Sequence, residues 1–173
     1  AGAPSPHEAL AMGHIYVRLG RWDEADASFV RAAGLGTAPW DARSIDREIR
    51  ADALRHLALE RRRRHHYEAA AEAWRHLLEA GAGPAWTQEA RRALAIHHEH
   101  RACDLDEARR QAEQALVAET DPAEAGALRH RIARLDRKLG SGGSGDVELG
   151  QLLAAKCDHP GLELLPARRA EDG

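Results

Sequence analysis

Apolar and small residues recur along this chain at intervals of three and four, and that period predicts helices over most of its length. The clearest stretch runs from His7 to Ala33. Its packing positions are small or aromatic: Gly13, Tyr16, Gly20, Trp22, Ala25, Phe29 and Ala32. Ser5, Pro6 and Glu8 supply an N-cap, an N1 proline and an N3 acid, so a first helix is expected from Pro6 to Leu19. Gly20 stops it, because glycine enters the left-handed region without side-chain clash. Asp23 is expected to open a second helix that Gly34 and Gly36 end.

This hairpin pattern resembles a tetratricopeptide repeat (TPR), a helix-turn-helix unit of about 34 residues. The first copy predicts that Gly13 and Ala25 lie at a close helix-helix contact and that Trp22 is core. Two looser copies follow. A long helix is expected from Asp41 to about Arg64, with Ile45, Ile49, Ala53, Leu54, Leu57 and Ala58 inward. Tyr67 takes the place of Trp22, and Ala70, Trp74 and Leu77 follow at the spacing of Ala25, Phe29 and Ala32. After a break over residues 81–84, Thr87 is expected to start the third copy, in which Leu94, Ala95, Ala108, Ala112 and Ala115 pack and Leu105 holds the turn position. The anchors Trp22, Tyr67 and Leu105 stand 45 and then 38 residues apart, which implies lengthened first helices.

Asp121, Pro122 and Glu124 form a further helix start. Leu128, Ile132, Leu135 and Leu139 then make one apolar stripe, suited to a terminal helix that covers the open end of a stack. Gly140 is expected to end it. The expected organisation is therefore an all-α, TPR-like right-handed array of antiparallel helix hairpins with a terminal capping helix over residues 1–140. A flexible Gly/Ser linker follows over 141–145, and then a tail over 146–173, as a short helix or without order.

Composition agrees. Aromatics are 4% and charged residues 31% of the chain, which favours helix and a thin core. The formal net charge of -3 gives no global attraction for nucleic acid or an acidic membrane. Cys103 and Cys157 lie far apart in unlike contexts and predict no disulfide framework, so a reducing, cytoplasmic setting is expected. No apolar run approaches the roughly 20 residues that a bilayer span needs.

Candidate chemistry is sparse. His97, His98, His100, Cys103 and Asp104 form the densest ligand-type cluster, yet no second pair at zinc spacing accompanies it. It reads as structural, with Glu99 and His100 closing a helix end against loops or basic side chains. No metal and no cofactor are expected. The run Arg61, Arg62, Arg63 and Arg64 ends a helix, where cations suit the negative dipole end. Its alternative role is phosphate contact, together with Arg129, Arg134 and Arg137 if these share a side. Trp74 matches a core position, while Trp40 and Trp86 fit packing between repeats. No nucleophile-base-acid set and no phosphate loop are visible, so catalysis is not expected of this chain.

A narrower resemblance rests on residues 90–139. His98, Glu99 and His100, then Asp104 and Leu105, then Leu128, Arg131, Ile132, Leu135, Lys138 and Leu139 follow a pattern similar to the C-terminal TPR-like region of YprB-type ribonuclease H-like proteins. Trp22, Tyr67 and Trp74 match that family's repeat aromatics, and the likeness covers roughly residues 7–140. The turn at Cys103 departs from the family pattern. The resemblance implies a ribonuclease H-like exonuclease domain upstream, whose metal-binding acids are not in this sequence. The expected function is a non-catalytic scaffold that binds a protein partner or the parent protein's own N-terminal domain, with Arg18, Arg55 and His97 on the binding face. The alternative is an accessory nucleic-acid-contacting half of an exonuclease. No membrane partner is expected.

Overall fold

Ser5 shows how closely local chemistry sets the helix starts. Its hydroxyl accepts from the Glu8 backbone N–H, and the Glu8 carboxylate accepts from the Ser5 backbone N–H at 2.7 Å, a complete capping box. In the computed structural model, which describes residues 4–35 and 45–141, this box opens α1 (Pro6–Arg18). The chain continues as α2 (Trp22–Ala32), α3 (Arg47–Arg63), α4 (Tyr67–Glu79), α5 (Pro84–His100), α6 (Leu105–Val117) and α7 (Pro122–Ser141). The described residues contain no strand. None of their helices is long and apolar enough to cross a membrane.

Three hairpins, α1–α2, α3–α4 and α5–α6, make the tightest pairings, and α7 packs on α6. Neighbouring hairpins join through α2 on α3 and α4 on α5, with a lighter contact of α1 on α3. The first helices of the second and third hairpins have 17 residues against 13 in α1, the lengthening that the anchor spacing predicts. Trp22, Tyr67 and Leu105 each stand as the first residue of a second helix. Two residues before each anchor the backbone is left-handed: Gly20 at φ 69°, His65 at 63° and Cys103 at 53°. At the first two turns the same pair of hydrogen bonds closes the helix, Arg21 N to Tyr16 O and His66 N to Arg61 O among them. One turn geometry thus recurs on three different residue types.

The core is thin and alanine-rich. Phe29, Leu54, Leu57, Leu77, Leu94 and Leu135 are fully buried, and alanines fill most other buried positions. Trp74 is 2% exposed, as its repeat position predicts, and Trp86 packs partly buried against the same cluster. Trp22 is not core: it is 42% exposed. It opens α2 at the outer end of the first hairpin, and Phe29 two turns on fills the interior. Gly13 lies against that ring. A Cβ built there would stand 2.5 Å from Phe29 Cε1, so the helices meet where only hydrogen fits.

Several helix starts differ from the expected ones. α2 begins at Trp22 rather than Asp23, because the Arg21 backbone turns without a side-chain cap. α3 begins at Arg47 rather than Asp41: the Asp46 carboxylate caps the Glu48 N–H, and residues 41–44 lie outside the described part. α5 begins at Pro84 rather than Thr87, with proline at N1, while the Thr87 hydroxyl donates to the Ala82 carbonyl. α7 runs one residue past Gly140. Gly36, Trp40 and the expected tail over 146–173 also fall outside the described residues. The expectation of no disulfide turns on Cys157 and is not addressed by the described residues. Cys157 lies outside the described residues.

Glu99 fastens the terminal helix. Its side chain is fully buried, and Arg131 Nη1 at 2.6 Å, Arg134 Nη2 at 2.7 Å and Lys138 Nζ at 3.0 Å all donate to it from one face of α7. Burial by itself would raise the Glu99 carboxyl. The hydrogen bonds from Arg134 and Lys138 and the charges of Arg134 and His100 outweigh it and push the value down to about 2. The expected closure of this helix end by Glu99 is thus met by basic side chains.

Two outcomes follow from these contacts. Gly13→Ala gains up to about 1 kcal/mol of helix propensity but meets a ring that cannot retreat, so overpacking of about 1–3 kcal/mol should win. Its urea midpoint should fall, and the loss should vanish in a Phe29→Leu background; an unchanged midpoint in the single variant contradicts the contact. Glu99 has a depressed folded value, so its contribution is full above its unfolded value of 4.5 and is lost as pH falls toward about 2. That contribution is on the order of 3 kcal/mol. The stability gap between the native chain and Glu99→Gln should therefore narrow steadily from pH 4.5 to pH 2, and a gap independent of pH would refute the assignment.

Candidate functional site

Where the second and third hairpins meet, side chains from α3, α4 and α5 enclose a cleft of about 430 Å³. Its floor is apolar: Trp74, Ala70 and Ala71 of α4 are all under 5% exposed. Ile96 of α5 forms a wall and is 45% exposed, a large apolar side chain left open to solvent. Helical spacing explains the arrangement, since Tyr67, Ala70, Ala71 and Trp74 follow one another at three and four along α4.

The rim is cationic. Arg62 sits in the last turn of α3, His100 ends α5, and Arg101 caps it. The Arg101 guanidinium lies 3.9 Å over the Tyr67 ring, a cation–π contact that fixes its position. The Tyr67 hydroxyl is held in turn by His65 Nδ1 at 2.6 Å. Arg62 and Arg101 make no ion pair among the described residues. That sets them apart, because most other arginines of α3 to α7 are committed.

Arg61 grips Asp26 through both carboxylate oxygens, at 2.8 and 3.0 Å, and tethers α3 to α2. Arg63 pairs with Glu60, and Arg64 reaches Asp23 at 2.8 Å. Arg134 is bound to Glu99. Arg137 donates to the Ala133 carbonyl, and Arg129 is exposed. α3 and α7 are not packing neighbours, so the two arginine groups named from the sequence do not meet in one patch.

The three residues named for a binding face also separate. Arg18 is exposed near the end of α1. Arg55 is half-buried and paired with Glu89 of α5 at 2.6 Å. Only His97 reaches the cleft. It is 8% exposed, and its Nε2 lies 3.1 Å from Glu68 Oε2 without the alignment of a hydrogen bond. Burial holds the His97 imidazole below its ordinary value; the Glu68 charge opposes this, and His98 and Arg75 add to it. Burial likewise lowers His98, whose Nδ1 is buried without a partner.

A second cluster was not legible as a unit in the sequence. His14 of α1 faces Asp52 and His56 of α3, and one ligand-type atom from each lies within 4.8 Å of the others. The i,i+4 spacing of Asp52 and His56 was the available signal. The approach of His14 depends on how the first two hairpins dock.

No family model and no curated protein matches this chain in sequence. Among solved structures it is similar to BtubC (BKLC) from P. vanneervenii, with a TM-score of 0.58 and 18% identity over 97% of this chain and 71% of that one. At that identity the likeness concerns the fold alone.

The His97 assignment has a direct check. With its value lowered on folding, the unfolded chain binds more protons just below pH 6.5, so this group weakens the fold as pH drops through that window. An NMR titration should place the His97 imidazole below 6.5, and Glu68→Gln should lower it further. A midpoint at or above 6.5 in the native chain contradicts the buried placement.

Proposed function

We propose that this chain is a non-catalytic protein-interaction scaffold, a TPR-like right-handed array whose cleft above Trp74 receives an acidic segment of a partner protein with one apolar anchor. Recurrence of the left-handed turn ahead of Trp22, Tyr67 and Leu105 supports the repeat reading. The observation that carries the binding reading is the pairing of an apolar floor with the uncommitted Arg62 and Arg101 at its rim. An apolar anchor gains by burial against Trp74 and Ile96. Flanking carboxylates complete the two guanidiniums, which favour planar, two-point recognition of such groups.

The resemblance to YprB-type proteins makes an acidic segment of a ribonuclease H-like domain in the same parent protein one candidate source of that anchor. The nucleic-acid reading draws less support, since Arg61, Arg63, Arg64 and Arg134 already satisfy carboxylates.

The test is a display screen of Asp/Glu-rich peptides that each carry a single Leu or Phe, followed by anisotropy measurements on the full chain. Selected peptides should bind more weakly at higher salt and lose at least tenfold in affinity in Arg62→Glu and in Arg101→Glu. The unfolding midpoint should move little, because neither guanidinium pairs with a carboxylate in the fold. No enrichment of acidic sequences, or binding that survives the double charge reversal, would overturn the reading. Tight binding of single-stranded DNA abolished by the same substitutions would favour the nucleic-acid role instead.

A further inference from the structure

The cluster on α1 and α3 carries a separate inference that does not depend on the cleft. His14 Nε2 lies 3.9 Å from Asp52 Oδ2, and His56 Nε2 lies 3.4 Å from Asp52 Oδ1. The two imidazoles face each other edge to face, with ring centres 4.4 Å apart. Phe29 holds both from below: its ring stacks on His56 at 19° and 5.6 Å and meets His14 at 76° and 5.5 Å. Because Phe29 is fully buried and pressed against Gly13, the platform beneath the imidazoles is rigid. The three side chains themselves remain about one-third exposed, so an ion has a way in.

We propose that His14, Asp52 and His56 form a binding site for a divalent transition metal of the zinc class. Zinc with nitrogen and oxygen ligands at about 2.0–2.1 Å spaces neighbouring ligand atoms about 3.3 Å apart. With one ligand atom from each side chain the three lie within 4.8 Å of one another, so closing to that spacing needs only small side-chain rotations. Two imidazoles and one carboxylate suit a borderline-soft ion far better than calcium or magnesium, which prefer oxygen. Three protein ligands leave a fourth position for water or for a side chain of a partner.

The surrounding charges are compatible with this role. Arg18, four residues beyond His14, is the one nearby cation that opposes a metal ion; Arg55 is committed to Glu89. Binding would add a cross-link between α1 and α3, two helices that otherwise touch only lightly.

Cobalt(II) titration of the full chain tests the site, because tetrahedral coordination with nitrogen donors gives intense visible absorption that zinc then displaces. One saturable equivalent is expected, together with a raised unfolding midpoint. The signal should be lost in His14→Ala and His56→Ala and weakened at least tenfold in Asp52→Asn, which keeps the side-chain shape and so covers the case in which a histidine variant fails to fold. His100→Ala should bind as the native chain does. Absence of a saturable signal overturns the proposal. So does a signal that survives all three substitutions, or one lost in His100→Ala, which would move the metal to the cluster around Cys103.

Discussion

Close approach between helices is the constraint on which this fold depends. The buried positions are mostly alanine, and at the first hairpin even alanine is too large, since Phe29 occupies the space where a Gly13 Cβ would stand. Small residues let backbones come together and gain dispersion contacts along their whole length. They also supply little apolar area and few interlocking shapes. A stack built this way is tight in separation but weakly specified in rotation and register.

Ion pairs between elements supply that missing specification. Arg61 of α3 and Arg64, which caps it, hold Asp26 and Asp23 of α2, Arg55 holds Glu89 of α5, and Arg109 of α6 holds Asp136 of α7. Arg92 bridges Glu119 and Glu124 across the entry to α7. The exposed Arg109–Asp136 pair contributes about 0–1 kcal/mol, and the pairs of Arg55 and Arg61 and that of Arg92 with Glu119 are part-buried; their shared role is orientation. Glu99 differs because it is buried among three donors, where an unpaired partner would be costly. The arginine-rich composition is therefore largely a structural device, and the arginines outside it stand out for that reason.

Much of this was readable from the residues. The register that equates Trp22 with Tyr67 marks the first residue of both α2 and α4, one before the expected start at Asp23 in the first case. What was not readable has local causes. Arg21 and His66 begin helices without a side-chain cap, so no polar signal marks those starts. His65 and Cys103 adopt the turn conformation that Gly20 advertises, yet neither residue type predicts it. Trp22 keeps the repeat position at the first residue of α2 but leaves its ring 42% exposed, and Phe29 fills the interior instead. The cationic cleft combines Arg62, Tyr67 and Arg101 from three segments, and the His14 cluster unites residues nearly forty apart. Spacing along one helix cannot report either meeting.

The division of labour between first and second helices follows from the same packing. Each of the second helices, α2 and α4, is enclosed by its own partner and by the next hairpin, and α6 by α5 and α7, so their small residues are consumed: Ala108, Ala112 and Ala115 have no exposure at all. Of the first helices, α1 is enclosed least, with Ala9 and Gly13 as its buried residues. α1 leaves Met12 and Ile15 open, α5 leaves Ile96 open, and the last turn of α3 holds Arg62, which makes no ion pair among the described residues. The His14, Asp52 and His56 cluster draws on α1 and α3, whereas the cleft above Trp74 joins Arg62 of α3 and Ile96 of α5 to a floor from α4. On either kind of helix the outward residues can change at little cost to the stack, as the exposed Val117 of α6 and Ile15 of α1 both show, and chemistry unrelated to packing has room to accumulate there.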